Sequence, residues 1–208
     1  MSRKPHSRFL TALAAGGVAL ALSQAAQAQD AQRIRVRGAI ESLSGDTLVV
    51  RTREGNDATV ALKAGWKVGG IKKASVEDIK PGDFVGVASL PKGTGPDGAI
   101  EVLIFPASMK GTGEGNRPWD AQRNSQMTNA TVSNAVKSVD GHTITLTYEG
   151  KEKTISIADG TPIVTLAPAT KDDLKPGASV VVTGEKGADG SISASRIAVG
   201  LNGVIPPM

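Results

Sequence analysis

The feature that most constrains this chain is an internal repeat, because several turn motifs occur twice in the same order. The corresponding motifs are Gly45-Asp46-Thr47 and Gly141-His142-Thr143, Lys80-Pro81-Gly82 and Lys175-Pro176-Gly177, and Asp97-Gly98 and Asp189-Gly190. The sequence therefore indicates two copies of one folding unit of about 70 residues, a size at which a closed barrel is workable because it leaves no exposed strand edge.

Each copy shows the pattern of short strands followed by one helical turn. Apolar and polar residues alternate in Ile34-Arg35-Val36-Arg37, which is typical of a half-buried strand. After the third strand, Ser75–Lys80 and Thr170–Lys175 begin with a capping residue and end at Pro-Gly. Three strands, a short helix and two more strands is the element order of an OB-type barrel.

We therefore predict an all-β fold with minor helix, made of two tandem small OB-like five-stranded β-barrels after a signal peptide. The first barrel is assigned to residues 32–105 and the second to residues 131–203. An open sandwich made from both copies together is the alternative.

The turn segments also resemble a known family. Gly38-Ala39-Ile40, Asp78-Ile79-Lys80-Pro81-Gly82 and Asp97-Gly98 are similar to a secreted bacterial β-barrel domain of unknown function that occurs singly or in tandem in exported proteins. The resemblance covers both repeats and implies a fold rather than an activity, since this family has no agreed catalytic residues.

The N-terminus predicts export. Arg3, Lys4 and Arg8 precede an uncharged apolar run, and Ala26-Gln27-Ala28 supplies a small-residue cleavage site. We assign residues 1–28 to a signal peptide cleaved after Ala28 and expect a periplasmic protein without a membrane span. Three of the four excess positive charges lie in this segment, so the mature chain is nearly neutral.

The composition argues against most catalytic chemistry. Cysteine is absent, which excludes disulfides, thiolate metal sites and a cysteine nucleophile. His142 is the one histidine after Ala28, and we interpret it as a turn residue. We expect no enzyme activity, no cofactor and no metal. A metal-handling accessory protein is an alternative function, in which His142 with Met109, Met127 or Met208 would take copper.

The first hairpin carries alternating arginines. Arg35 and Arg37 share one face of the first strand, and Arg51 and Arg53 lie on the return strand. We predict a ligand-binding patch of these four residues with Trp66, facing an anionic glycan, lipid or envelope protein. Nucleic acid is not expected, because the arginine-bearing strands hold no aromatic residue on which bases would stack.

Two tryptophans lie outside the predicted strands. The linker at residues 106–130 contains Trp119, which we expect to pack on a barrel, and Arg117, Trp119 and Asp120 are candidates for binding a partner. Trp66 stands where the second copy has Asp159-Gly160-Thr161-Pro162. We predict that Trp66 caps a barrel end, with a ligand-facing platform shared with Trp119 as the alternative.

The sequence thus favours an exported non-catalytic binding or envelope-associated module. A structural scaffold that docks a protein partner through the linker is the alternative from another class. The oligomeric state does not follow from the sequence.

Overall fold

The computed structural model describes residues 32–138 and 141–206, so the predicted signal peptide and its cleavage site after Ala28 lie outside the described residues. In this part of the chain the strands are β1 (Gln32–Ser44), β2 (Thr47–Thr52), β3 (Asp57–Lys73), β4 (Phe84–Leu90), β5 (Asp97–Ile104), β6 (Gly115–Pro118), β7 (Gln126–Ser138), β8 (Gly141–Tyr148), β9 (Lys151–Ile157), β10 (Ile163–Ala167), β11 (Ser179–Lys186) and β12 (Ile192–Gly200). Among the described residues, the helical content is confined to 3₁₀ turns of three residues, at Val76–Asp78, Ala107–Met109, Lys171–Asp173 and Leu201–Gly203. The predicted all-β fold with minor helix is confirmed.

The strands close into two rings of five. Barrel A consists of β1, β2, β3, β12 and β11, and β11 pairs back to β1. Barrel B consists of β7, β8, β9, β5 and β4, and β4 pairs back to β7. Neighbours in each ring are antiparallel except for β12 beside β3 and β5 beside β9, which run parallel.

Each barrel contains strands from both repeats. Barrel A takes its first three strands from the first repeat and its last two from the second, and barrel B has the reverse composition. The predicted boundaries, with residues 32–105 in one barrel and residues 131–203 in the other, therefore differ from the observed pairing. The repeats exchange their fourth and fifth strands within a single chain.

The exchange of strands between the repeats depends on the length of β3. Its 17 residues correspond to about 55 Å of strand at roughly 3.3 Å per residue, which is more than one wall of a small barrel needs. The strand continues past barrel A, and Gly70–Lys73 pair with β10 in antiparallel register. The chain after Lys73 therefore enters barrel B, and the chain after β10 enters barrel A by the equivalent route.

At this crossing the two repeats are related by a pseudo-twofold axis. Ile71 in β3 pairs with Leu166 in β10, and the two residues occupy equivalent positions in their repeats. Ile71, Leu103 and Val164 form a small buried cluster at the crossing, separate from the two barrel interiors. A continuous sheet and an apolar contact thus join the barrels.

Both barrel interiors are filled by aliphatic side chains. Barrel A buries Leu48, Val50 and Val182, and barrel B buries Val87 and Leu146 among others, each fully or almost fully. At about 25 cal/mol per Å² of apolar surface removed from water, such residues supply the main driving force for closure.

The caps of the barrels are exchanged together with the strands. Leu174, at the end of the second repeat's 3₁₀ turn, packs into barrel A, whereas Ile79 of the first repeat packs into barrel B. Each repeat therefore closes the barrel that the other repeat begins.

The exchange predicts which cysteine pair will cross-link. Arg33 in β1 lies directly opposite Glu185 in β11, and both residues are exposed. Opposed antiparallel residues have Cα atoms about 4.5–5.5 Å apart, within the range of a disulfide. We expect Arg33→Cys/Glu185→Cys to oxidise to an intramolecular disulfide in the monomer, detected by non-reducing gel and mass spectrometry.

Leu90 provides the matched control, because it holds in β4 the position that Glu185 holds in β11. Arg33→Cys/Leu90→Cys should stay reduced under the same conditions. Cross-linking of the Leu90 pair, or cross-linking of the Glu185 pair only between two chains, would contradict the exchange within one chain.

Candidate functional site

The linker between the repeats pairs with a strand of barrel B and then contacts barrel A. Gly115–Pro118 pairs with the start of β7, and the chain then turns through Trp119 to Ser125. The Trp119 N–H donates to the Ser125 carbonyl at 2.9 Å, and the Ser125 hydroxyl lies 3.0 Å from the Trp119 carbonyl. Ser125 is buried, so this turn is a fixed structure that presents Trp119 and Asp120 to β1.

Trp119 stacks against arginine. The Arg35 guanidinium carbon lies 3.9 Å from the Trp119 ring centroid, and the Arg117 guanidinium carbon lies 5.5 Å from it. Both distances allow cation–π attraction. The Trp119 Nε1 is buried and has no hydrogen-bond acceptor among the described residues. The linker thus supplies the aromatic residue that the arginine-bearing strands lack.

Asp120 binds both arginines of β1. Arg37 donates from Nη2 to Oδ1 at 2.8 Å and from Nη1 to Oδ2 at 3.3 Å, and Arg35 donates from Nη1 to Oδ2 at 3.3 Å. Partial burial raises the pKa of Asp120, but the hydrogen bonds and positive charges of Arg37 and Arg35 outweigh it, so the pKa lies below its usual value. The carboxylate is charged at neutral pH and clamps the linker to barrel A.

The other two arginines of the predicted patch have different surroundings. The Arg51 Nε lies 2.8 Å from Asp57 Oδ1 and 3.4 Å from Glu41 Oε1. Arg53 is exposed, and its backbone N–H donates to the Arg37 carbonyl at 3.2 Å. The predicted group of four arginines is thus divided, and Arg35 and Arg37 form the cationic cluster together with Arg117, Trp119 and Asp120.

Trp66 is not part of this cluster. It packs in the interior of barrel A with 9% of its surface exposed, and its Nε1 donates to Asp46 Oδ1 at 3.2 Å. The Lys171 ammonium lies 4.6 Å from the ring centroid. Its inclusion among the predicted ligand-binding residues therefore needs correction, because a buried indole that closes the core is not available to a ligand on the outer face.

Sequence reasoning missed a cavity at one end of barrel B. His142, assigned above to a turn, is the second residue of β8, half-buried at a cavity also lined by Thr161. The sequence contained one signal for this cavity, because the second repeat has the small residue Thr161 at the position of Trp66.

Among residues 32–138 and 141–206, no group of three histidine, aspartate or glutamate side chains is placed to hold a metal ion. Met208, one of the suggested copper ligands, lies outside these residues. In the same part of the chain, no helix has the length and apolar character needed to span a membrane.

A comparison with known families finds a match, which covers most of the second repeat. The sequence profile of a domain of unknown function, DUF5666, matches residues 135–198. The matched segment runs from β7 to β12 and so contributes strands to both barrels. The chain thus contains a domain of unknown function and has a β-barrel fold. Comparisons with curated proteins and with solved structures find no match.

The clamp predicts the behaviour of an Asp120→Asn variant. Loss of the carboxylate charge removes the ion pairs to Arg35 and Arg37, each worth about 0.2–1 kcal/mol when exposed. We expect global stability to change little, while trypsin cleaves at Arg123 in the linker several times faster, because local opening costs less free energy. Asp57→Asn is the control. Equal cleavage rates in the two variants would contradict the clamp.

Proposed function

We propose that this chain is an exported, periplasmic, non-catalytic binding or envelope-associated module made of two OB-like barrels. In each ring the strand order is first, second, third, fifth, fourth and back to first, with the third and fifth parallel. This order supports the OB-like interpretation, and that fold commonly serves as a binding scaffold.

The observation that carries the proposed ligand class is the imbalance of charge in the cationic cluster. The cluster holds three guanidinium groups and one carboxylate. Arg35 and Arg37 pair with Asp120, whereas Arg117 lies over the Trp119 ring and donates to the Gly113 carbonyl at 2.9 Å. Burial and the positive charge of Arg35 lower the pKa of Arg117, so repulsion among the arginines is not fully relieved. An added anion lowers this repulsion.

The unpartnered donor points in the same direction. The Trp119 Nε1 has no acceptor among the described residues, and a buried donor without an acceptor costs about 1–3 kcal/mol. The cluster thus has more donors and positive charges than its own residues satisfy. Carboxylates, sulfates and phosphates, as found on anionic glycans, lipids and acidic proteins, are the groups that match it.

The Asp120 carboxylate indicates where an external anion would bind. Its two oxygens receive donors from two arginines, and half of its side chain is exposed. An external anion binds at this exposed edge, next to Asp120 or in its place. Asp120 therefore competes with the ligand, and removing its charge strengthens binding.

The test is retention on a sulfated-glycan matrix at low salt, with a pair of variants that change the net charge equally. Asp120 and Asp57 are matched acids, because each pairs with an arginine and their exposures are 50% and 49%. We expect Asp120→Asn to elute at clearly higher salt than Asp57→Asn. Equal elution would show that only net charge matters and would contradict the proposed site.

A second pair of variants tests the arginines. Arg35→Ser/Arg37→Ser should lower the elution salt and the affinity for vesicles of anionic phospholipid more than Arg51→Ser/Arg53→Ser does. Binding to the matrix but not to vesicles would identify a glycan rather than a lipid surface. If neither pair changes retention, the anion-binding site is wrong and the scaffold function becomes the better account.

A further inference from the structure

Barrel B has an open cavity at one end. Its volume is about 530 Å³, and most of its lining is apolar, including Ile157, Ile163 and Val204. The polar lining consists of His142 and Thr161 together with the exposed residues Lys73, Ser75, Glu77 and Asp159. The three isoleucine and valine side chains are apolar walls on which an aromatic ring would pack. Pockets of this size and composition are typical of small-molecule sites.

The equivalent end of barrel A is filled by the chain itself. Trp66 occupies it, donating from its indole nitrogen to Asp46 at 3.2 Å and lying under the Lys171 ammonium at 4.6 Å. Leu62 belongs to the same buried cluster. Barrel A thus shows which chemical group fits this end of the barrel.

The backbone places Thr161 where barrel A has Trp66. Gly65 and Gly160 immediately precede them and both have positive φ, 74° and 82°. In the first repeat this segment lies within β3, where the pairing with β12 shifts register, and in the second it lies between β9 and β10. Both segments come shortly before the β3–β10 crossing. The two side chains therefore start from equivalent backbone positions, but Thr161 is too short to fill the space that an indole fills.

The two contacts of Trp66 also have equivalents in barrel B. Asp46 and His142 each follow a glycine with positive φ, Gly45 and Gly141, at the start of the second strand of a repeat. Lys171 and Val76 are each the first residue of the 3₁₀ turn that the exchange brings to the barrel end. In barrel A, the indole of Trp66 contacts Asp46 and Lys171. The equivalent residues of barrel B, Thr161, His142 and Val76, all line the cavity.

The differences between these equivalent residues of the two barrels indicate which ligand the cavity would take. An unprotonated imidazole nitrogen of His142 accepts a hydrogen bond as the Asp46 carboxylate does, without its negative charge. Val76 supplies an apolar contact in place of the Lys171 cation. The remaining charges of the lining, on Lys73, Glu77 and Asp159, are exposed and of both signs. The site therefore favours a ring without net charge that carries one N–H or O–H donor.

We propose that this cavity binds a small neutral aromatic molecule with an N–H or O–H donor, seated as Trp66 is seated in barrel A and hydrogen-bonded to His142. This inference is independent of the cationic cluster, because no residue of that cluster lines the cavity.

The experiment is a titration of the full chain with indole, followed by the NMR shifts of His142 and of the cavity methyl groups. We expect saturable binding with a submillimolar Kd and shifts centred on His142 and Ile163. Phenol should bind similarly, while cyclohexanol, a non-aromatic alcohol, should bind at least several times more weakly. Absence of saturable shifts at millimolar indole, or equal affinity for cyclohexanol, would overturn the proposal.

Variants that fill the cavity sharpen the test. Thr161→Trp should reduce indole affinity at least tenfold, and Val76→Trp offers a second way to fill the space if the first variant fails to fold. Thr59→Trp, on the exposed face of barrel A, is the control that adds a tryptophan elsewhere. Unchanged affinity in a folded cavity-filling variant would show that indole binds at another place.

His142→Ala tests the hydrogen bond separately. It should weaken indole binding about three- to tenfold, the range of one hydrogen bond, and leave binding of benzene, which has no donor, nearly unchanged. Equal losses for both ligands would assign His142 a packing role and contradict the hydrogen bond.

Discussion

The antiparallel crossing of β3 and β10 is the contact on which the rest of the structure depends. At this point each repeat leaves the barrel that it begins and enters the barrel that it completes. Ile71 and Leu166 pair at equivalent positions, which makes the arrangement symmetric. Because the exchange lies within one chain, neither barrel is the product of one repeat, and the matched family segment at 135–198 is divided between both barrels.

The same symmetry makes the differences between the barrels informative. Barrel A closes its end with Trp66, whereas the equivalent end of barrel B is an open cavity beside Thr161. The outer face of barrel A carries the linker, held by Asp120 between Arg35 and Arg37. Two copies of one unit thus present two different surfaces, one cationic and one apolar.

The sequence predicted the local features well. Alternating residues and paired turn motifs define the strands and the all-β class, because these patterns depend on near neighbours. The exchange was not predictable in this way, since β1 pairs with β11 through the same kinds of side chain that β4 would offer. The packing of Trp119 was expected, but its pairing with Arg35 joins residues distant in sequence. Trp66 and Thr161, compared between the repeats, contained the signal for the cavity.

The most direct test of the exchange is an NMR measurement at the end of barrel A. The Lys171 ammonium lies 4.6 Å from the Trp66 ring centroid, although Lys171 belongs to the other repeat. The exchanged structure predicts nuclear Overhauser contacts between the Trp66 indole protons and the Lys171 side chain. If each repeat formed its own barrel, Val76 would take that place. Contacts from the indole to the Val76 methyl groups instead would contradict the exchange and the cavity built on it.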